Sequence, residues 1–201
     1  MRGLFIVVEG LDRAGKNTLI SQLVEILGQS GPVESIEFPD RSSPTGTLIN
    51  QYLKREIDLD DWVIHELYAE NRREKQAWIA ETLAAEKTIV CGRYAYSGAC
   101  YTAAKGYPLA DCLVADKGNI APDLVLYLDT PVDTICHRPG FGNERYEQVD
   151  FQARIREQFL ALFAADKSTQ FVRLQPETAL TDALAIIGEL ASRPRAAPNS
   201  I

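Results

Sequence analysis

The sequence predicts an α/β domain in which a parallel five-stranded sheet is flanked by helices, and three observations carry that prediction. Five short apolar runs recur along the 201 residues, separated by stretches of helical periodicity, the alternation that calls for a parallel sheet with helices on both faces. The first run passes through the glycine-bearing segment Gly10-Leu11-Asp12-Arg13-Ala14-Gly15-Lys16-Asn17-Thr18 straight into an amphipathic stretch. Hydrophobic residues make up 46% and charged residues 24% of the chain, which suits one domain with a buried core.

The elements follow in order. Leu4–Val8 is a continuous apolar run of the kind a doubly covered strand needs. Lys16–Leu27 repeats its leucines on one helical face. Val33–Phe38 is the second strand and Thr45–Lys54 the next helix. Asp60–Ala84 reads as one long helix, followed by strand Thr88–Cys91 and helix Tyr94–Lys105. Strand Leu124–Leu128, helix Val132–His137, helix Asp150–Ala164, strand Phe171–Leu174 and helix Thr181–Ala191 complete the alternation. The domain is expected over residues 1–192, and residues 193–201, rich in Pro and small residues, are expected to form a flexible tail.

Charge and cysteine content narrow the function. A net charge of −7 argues against broad nucleic-acid binding, which wants a basic face, but allows a local basic pocket for a small anion. Cys91, Cys100, Cys112 and Cys136 lack paired spacing and read as reduced thiols of an intracellular protein. With no signal-like start and no apolar run of membrane-spanning length, the expected location is cytoplasmic, with no membrane partner.

The glycine segment carries the chemistry. Its spacing, Gly-x₄-Gly-Lys between a strand and a helix, is that of a phosphate-binding loop: glycines let backbone N–H groups curl around an anion, the helix N-terminus adds positive potential, and Lys16 reaches the distal phosphates. Asn17 stands where the pattern usually has a hydroxyl residue ligating Mg²⁺, so the metal site is left open. Arg41 and Arg93 follow successive strands, and several guanidinium groups at one end of a sheet make an anion site. Residues 138–147, containing Arg138 and Arg145 among glycines, are a candidate mobile lid, a solvated loop being the alternative. Tyr68 and Arg72, at i and i+4, share a helix face on which a flat base would stack and be hydrogen-bonded; His65, one turn earlier, reads as structural.

Five segments, Glu9–Thr18, Phe38–Ser42, His65–Arg72, Arg93–Gly98 and Gly140–Glu147, together resemble thymidylate kinase, in its eukaryotic and poxviral form with arginine in the phosphate loop. The resemblance runs from about Arg2 to Phe163. It implies a P-loop NTPase fold of the nucleoside monophosphate kinase type with a lid, and phosphorylation of dTMP by ATP with Mg²⁺ in a homodimer. It assigns Arg13, Lys16 and Arg93 to catalysis. Residues 10–18 and Arg138 would bind ATP, Arg138 packing on adenine. Asp12 would accept from the deoxyribose 3′-hydroxyl, Phe38 and Arg41 would meet the acceptor phosphate, Tyr68 would stack on thymine and Arg72 read its carbonyl. Ser97, Gly98 and Tyr101 would shape the base and sugar pocket, with Tyr101 limiting room for a 2′-hydroxyl, and Tyr146 and Gln152 would close over the acceptor.

Two positions depart from the family pattern. Asn17 replaces Ser or Thr, and Gly92 stands where the family has the Asp of Asp-Arg-Tyr or Asp-Arg-His. Glu9 and Asp129 are the nearby carboxylates weighed as substitutes, against packing or capping roles. The expected function is an ATP-dependent dTMP kinase. The rivals are a homologue that binds nucleotides with little or no catalysis and a kinase for another deoxynucleoside monophosphate. A GTPase is disfavoured because neither Asn-Lys-x-Asp nor a magnesium-binding Asp-x-x-Gly is present.

Overall fold

The computed structural model describes residues 2–166, 168–193 and 198–201. Strands β1 (Phe5–Gly10), β2 (Val33–Glu37), β3 (Thr88–Gly92), β4 (Leu124–Leu128) and β5 (Phe171–Leu174) form one sheet in the order β2-β3-β1-β4-β5. Every pairing is parallel. All six residues of β1 are buried, as are all five of β4, so the continuous apolar runs occupy the centre of the sheet, where both faces are covered.

The helices are α1 (Lys16–Gly28), α2 (Pro44–Leu53), α3 (Asp61–Arg73), α4 (Gln76–Ala84), α5 (Ala95–Ala103), α6 (Leu109–Leu113), α7 (Val132–Cys136), α8 (Val149–Ala165) and α9 (Ala179–Ala191), with a 3₁₀ turn at Val114–Asp116. α2 starts one residue earlier than expected because Ser43 caps it, accepting from Gly46 N–H at 3.2 Å, with Pro44 in the first turn.

The single helix expected over Asp60–Ala84 is two helices. No glycine or proline marks the break. Long-range partners impose it: Lys75 reaches Asp40 at 2.8 Å, while Gln76 donates to the Arg72 carbonyl at 2.9 Å and accepts the Ile120 N–H at 2.8 Å. α6 and the 3₁₀ turn were not expected from the sequence. The end of the expected tail makes backbone hydrogen bonds. Ala121 N–H donates to the Asn199 carbonyl at 2.8 Å, and Ile201 N–H to that of Asn119 at 2.8 Å. Residues 194–197 lie outside the described residues.

The parallel arrangement brings the carboxyl ends of β1, β2, β3 and β4 to one edge. The segments leaving those ends, 11–15, 38–43, 93–94 and 129–131, converge there, which is where open α/β sheets place their ligands.

Candidate functional site

A cleft of about 790 Å³ opens at that edge. The glycine loop forms one wall. Gly15 caps α1 with φ 106°, a left-handed backbone that glycine enters without steric cost. Asp12, Arg13, Ala14, Gly15, Lys16, Asn17 and Thr18 line the cleft. Leu11, assigned to the ATP-binding set, is instead fully buried beneath the loop, and the Gly10 carbonyl is taken by Lys16 (3.1 Å) and Arg93 (3.3 Å). Lys16 Nζ also donates to Leu11 O at 2.6 Å. Burial, then the neighbouring Arg93, pulls the Lys16 ammonium down to about 7, against the fields of Asp12, Glu9 and Glu37.

Each expected arginine is held by an acid or carbonyl. Arg13 Nε meets Glu147 at 2.6 Å and its Nη1 the Pro139 carbonyl at 2.6 Å. Arg41 bridges Asn50 (2.7 Å) and Glu144 (2.9 Å). Arg93 pairs with Asp12 and donates to Tyr101 Oη at 3.1 Å. Arg138 donates to the Arg13 carbonyl, across the glycine loop. Arg13 and Arg93 hold φ near +60°, a region non-glycine residues seldom occupy and which clusters at functional sites. Residues 138–147 are turns that lay Glu144 and Glu147 beside these guanidinium groups.

The other wall is the base-sized part of the cleft, lined by Phe38, His65, Tyr68, Arg72, Ser97, Gly98, Tyr101 and Tyr146. Tyr146 stacks on Phe151 at 5.3 Å between ring centroids and meets Tyr101 edge-on at 5.5 Å. Arg72, only 2% exposed, places Nε and Nη2 each 2.6 Å from the two oxygens of Asp116; Nη1 takes no part in that pair. Gly98 is fixed by this arrangement, since a Cβ there would stand 2.6 Å from Arg72 Nη2. His65 lines the cleft, its Nδ1 sharing a hydrogen bond with Thr102 Oγ1 at 2.9 Å while its buried Nε2 has no partner, and burial lowers its pKa.

Several expectations change in role. Gln152 does not line the cleft; fully buried, it accepts Asp12 N–H at 3.0 Å and donates to Asp12 Oδ2 at 2.7 Å and Tyr146 O at 2.9 Å, tying the glycine loop to the lid. Ser97 Oγ is consumed by Glu9 at 2.5 Å. Glu9 is fully buried and holds the start of α5, accepting the N–H groups of Tyr94 (2.9 Å) and Ser97 (3.0 Å). Burial raises its pKa. Asp129 binds Arg156 (2.8 Å) and Arg173 (2.5 Å). Both carboxylates weighed as substitutes are therefore committed elsewhere.

Sequence reasoning missed Asp116, Glu144 and Glu147 as partners of the cleft arginines, and Asn71, whose amide accepts Asp40 N–H (2.7 Å) and donates to Asp40 O (3.1 Å) to shape the loop before Arg41. Asn71 sits inside a segment already singled out. Glu144 and Glu147 likewise lie in the segment Gly140–Glu147; Asp116 carries no local signal.

Comparison with known proteins places this geometry. The thymidylate kinase family model matches residues 8–183. The chain is 43% identical over 155 residues to thymidylate kinase of Homo sapiens, covering 76% of this chain and 73% of the relative. With that of Schizosaccharomyces pombe it is 36% identical over 194 residues, covering 95% and 92%, and with that of Arabidopsis thaliana 41% over 162 residues, covering 80% of this chain and 62% of the relative. The solved thymidylate kinase of Candida albicans superimposes with a TM-score of 0.88 at 33% identity, covering 100% of this chain and 98% of that one.

Proposed function

The chain belongs to the thymidylate kinase family, and from that premise we propose that it transfers the γ-phosphoryl group of ATP to dTMP, giving dTDP and ADP. The observation that carries the reading is the single cleft in which a glycine loop, four arginines and an aromatic, Arg72-bearing wall face one another. Two polyanions placed head to head there need positioning and charge neutralisation, and no covalent intermediate.

In this reading the loop amides and Lys16 hold the donor phosphates, Arg41 holds the acceptor phosphate, and Arg93 spans the two. Arg13 neutralises the group in flight. Tyr68 stacks on thymine, Arg72 Nη1 reads a carbonyl, and Tyr101 fills the space a 2′-hydroxyl would need. Residues 138–147 act as the lid, excluding water and so suppressing ATP hydrolysis; Glu144 holds Arg41 until phosphate takes its place, while Glu147 keeps Arg13 poised over the loop. Among the described residues no group of three or more His, Cys, Asp or Glu side chains forms an ion cage, and the Asn17 amide oxygen beside Lys16 suits a hard cation that keeps its waters and arrives on nucleotide oxygens. When bound, Mg²⁺ would supply positive charge that offsets the charge of the donor phosphates.

A panel of nucleoside monophosphates in a coupled ADP-release assay tests the assignment: dTMP gives the highest kcat/KM, and saturating Mg²⁺-ATP without turnover of any acceptor would overturn it. Lys16 makes a second prediction. Phosphate oxygens beside Nζ favour the ammonium, so ATP binding takes up a proton wherever the free side chain is neutral, above about pH 7. Calorimetry in buffers of different ionisation enthalpy should therefore show proton uptake at pH 8 that vanishes near pH 6, with affinity falling as pH rises.

A cytoplasmic homodimer completes the reading. It is supported by the exposed apolar side chains of Leu48 on α2 and Val63 on α3 and by the buried free thiols of Cys91, Cys100 and Cys112; among the described residues no helix is long and apolar enough to cross a membrane.

A further inference from the structure

Five acids line a cleft built for anions: Asp12, Glu37, Asp40, Glu144 and Glu147. Four are neutralised in place, Asp12 by Arg93, Asp40 by Lys75, Glu144 by Arg41 and Glu147 by Arg13. Glu37 is different. Among the described residues no side chain pairs with its carboxylate; the residue is exposed and lines both the cleft and the shallow hollow beside it that holds Asp40 and Lys75. An unpaired carboxylate beside bound phosphates is repulsive unless a cation comes with them.

Its placement sets it beside position 92. Glu37 ends β2 and lies in register with Gly92 at the end of β3. A Cβ built on Gly92 would stand 3.3 Å from Glu37 Cγ and 2.9 Å from Ile20 Cδ1. The Glu37 side chain therefore borders the space that a side chain at position 92 would fill, together with Ile20 of α1, one turn after Lys16. Glu37 is also among the carboxylates whose field favours the Lys16 ammonium.

We propose that Glu37 is the acidic positioning residue of the transfer centre, standing beside Gly92 on the neighbouring strand to orient the water shell of the divalent cation that travels with the donor nucleotide. The missing side chain of Gly92 and the presence of Glu37 are then one exchange: the carboxylate has moved one strand across, and glycine makes room for it. The proposal rests on the phosphoryl-transfer reading and sharpens it.

The test is Mn²⁺ binding to the enzyme–ADP complex, followed by electron paramagnetic resonance of the free ion. Glu37→Gln should weaken Mn²⁺ binding about 10–100-fold, the range found when an outer-shell partner of a metal is removed, and should raise the Mg²⁺ concentration for half-maximal activity in step. ADP binding without divalent cation should not weaken, because only a negative charge is lost. Glu34→Gln, on the same strand but paired with Lys87 at 2.9 Å, should leave Mn²⁺ binding unchanged. Glu37→Ala combined with Gly92→Asp, which removes the Cγ that would crowd a side chain at position 92, should recover the affinity that Glu37→Ala alone loses. Unchanged Mn²⁺ binding in Glu37→Gln, or no recovery in the double variant, would overturn the proposal. The two readings fail separately: wild-type chain that takes up Mn²⁺ with ADP through Glu37 but phosphorylates no acceptor sinks the kinase assignment alone, whereas robust dTMP turnover with an indifferent Glu37→Gln sinks the cation assignment alone.

Discussion

Arg13→Ala is expected to lower kcat about 10²- to 10³-fold, the loss typical of one preorganised electrostatic donor, while dTMP affinity changes little. Arg13 sits on the strained loop backbone with φ 59°, and its Nε rests on Glu147 rather than on anything a ground-state acceptor would replace. Its contact with the moving phosphoryl group strengthens only as charge develops, and such a contact shows in kcat rather than in binding. Arg13→Lys should recover little, because an ammonium cannot span Glu147 and the Pro139 carbonyl as the planar guanidinium does. Steady-state kinetics with calorimetric dTMP titration checks both points, and an unaltered kcat removes Arg13 from the mechanism.

Asp116→Ala is expected to destabilise the fold by about 3–5 kcal/mol, the cost of leaving one partner of a buried ion pair uncompensated. Arg72 and Asp116 are both nearly inaccessible, and Asp116 also accepts from Asn119 Nδ2 at 2.8 Å. Burial opposes the Arg72 charge while Asp116 sustains it, the guanidinium pKa remaining above its ordinary value. At roughly 2–4 °C per kcal/mol for a domain of this size, the melting temperature should fall by about 10 °C. Asp116→Asn, which keeps the shape and one acceptor, should lose less stability yet still weaken dTMP binding, because the paired oxygens no longer fix the guanidinium. Thermal denaturation with calorimetry separates the two losses. A melting point within a degree of wild type for Asp116→Ala would show the pair contributes no net stability.

Much of the fold was legible because it follows from local pattern. Central strands such as Val125–Leu128 are apolar at every position, and Lys16–Gly28 keeps its leucines on one face. The break at Glu74 and Lys75 was not legible, since the partners met there include Asp40 and Ile120, far away in the chain. The site divides the same way. Lys16 and Gly15 announce themselves by spacing, while Gln152 is meaningful only through Asp12, 140 residues away. Gly98 looks like an indifferent helical glycine until the Arg72 guanidinium is seen lying against it.

The amino-acid sequence by itself determined the parallel α/β architecture, the phosphate loop and the set of cations gathered at one sheet edge, because hydrophobic periodicity and glycine–lysine spacing act over a few residues. Tertiary structure alone decided which acid answers each arginine, that Glu9 and Asp129 are bound into the scaffold, and that Glu37 stands beside Gly92. Electrostatic partnership depends on distances in space of a few ångströms between residues far apart in the chain, and only the folded sheet brings those distances into being.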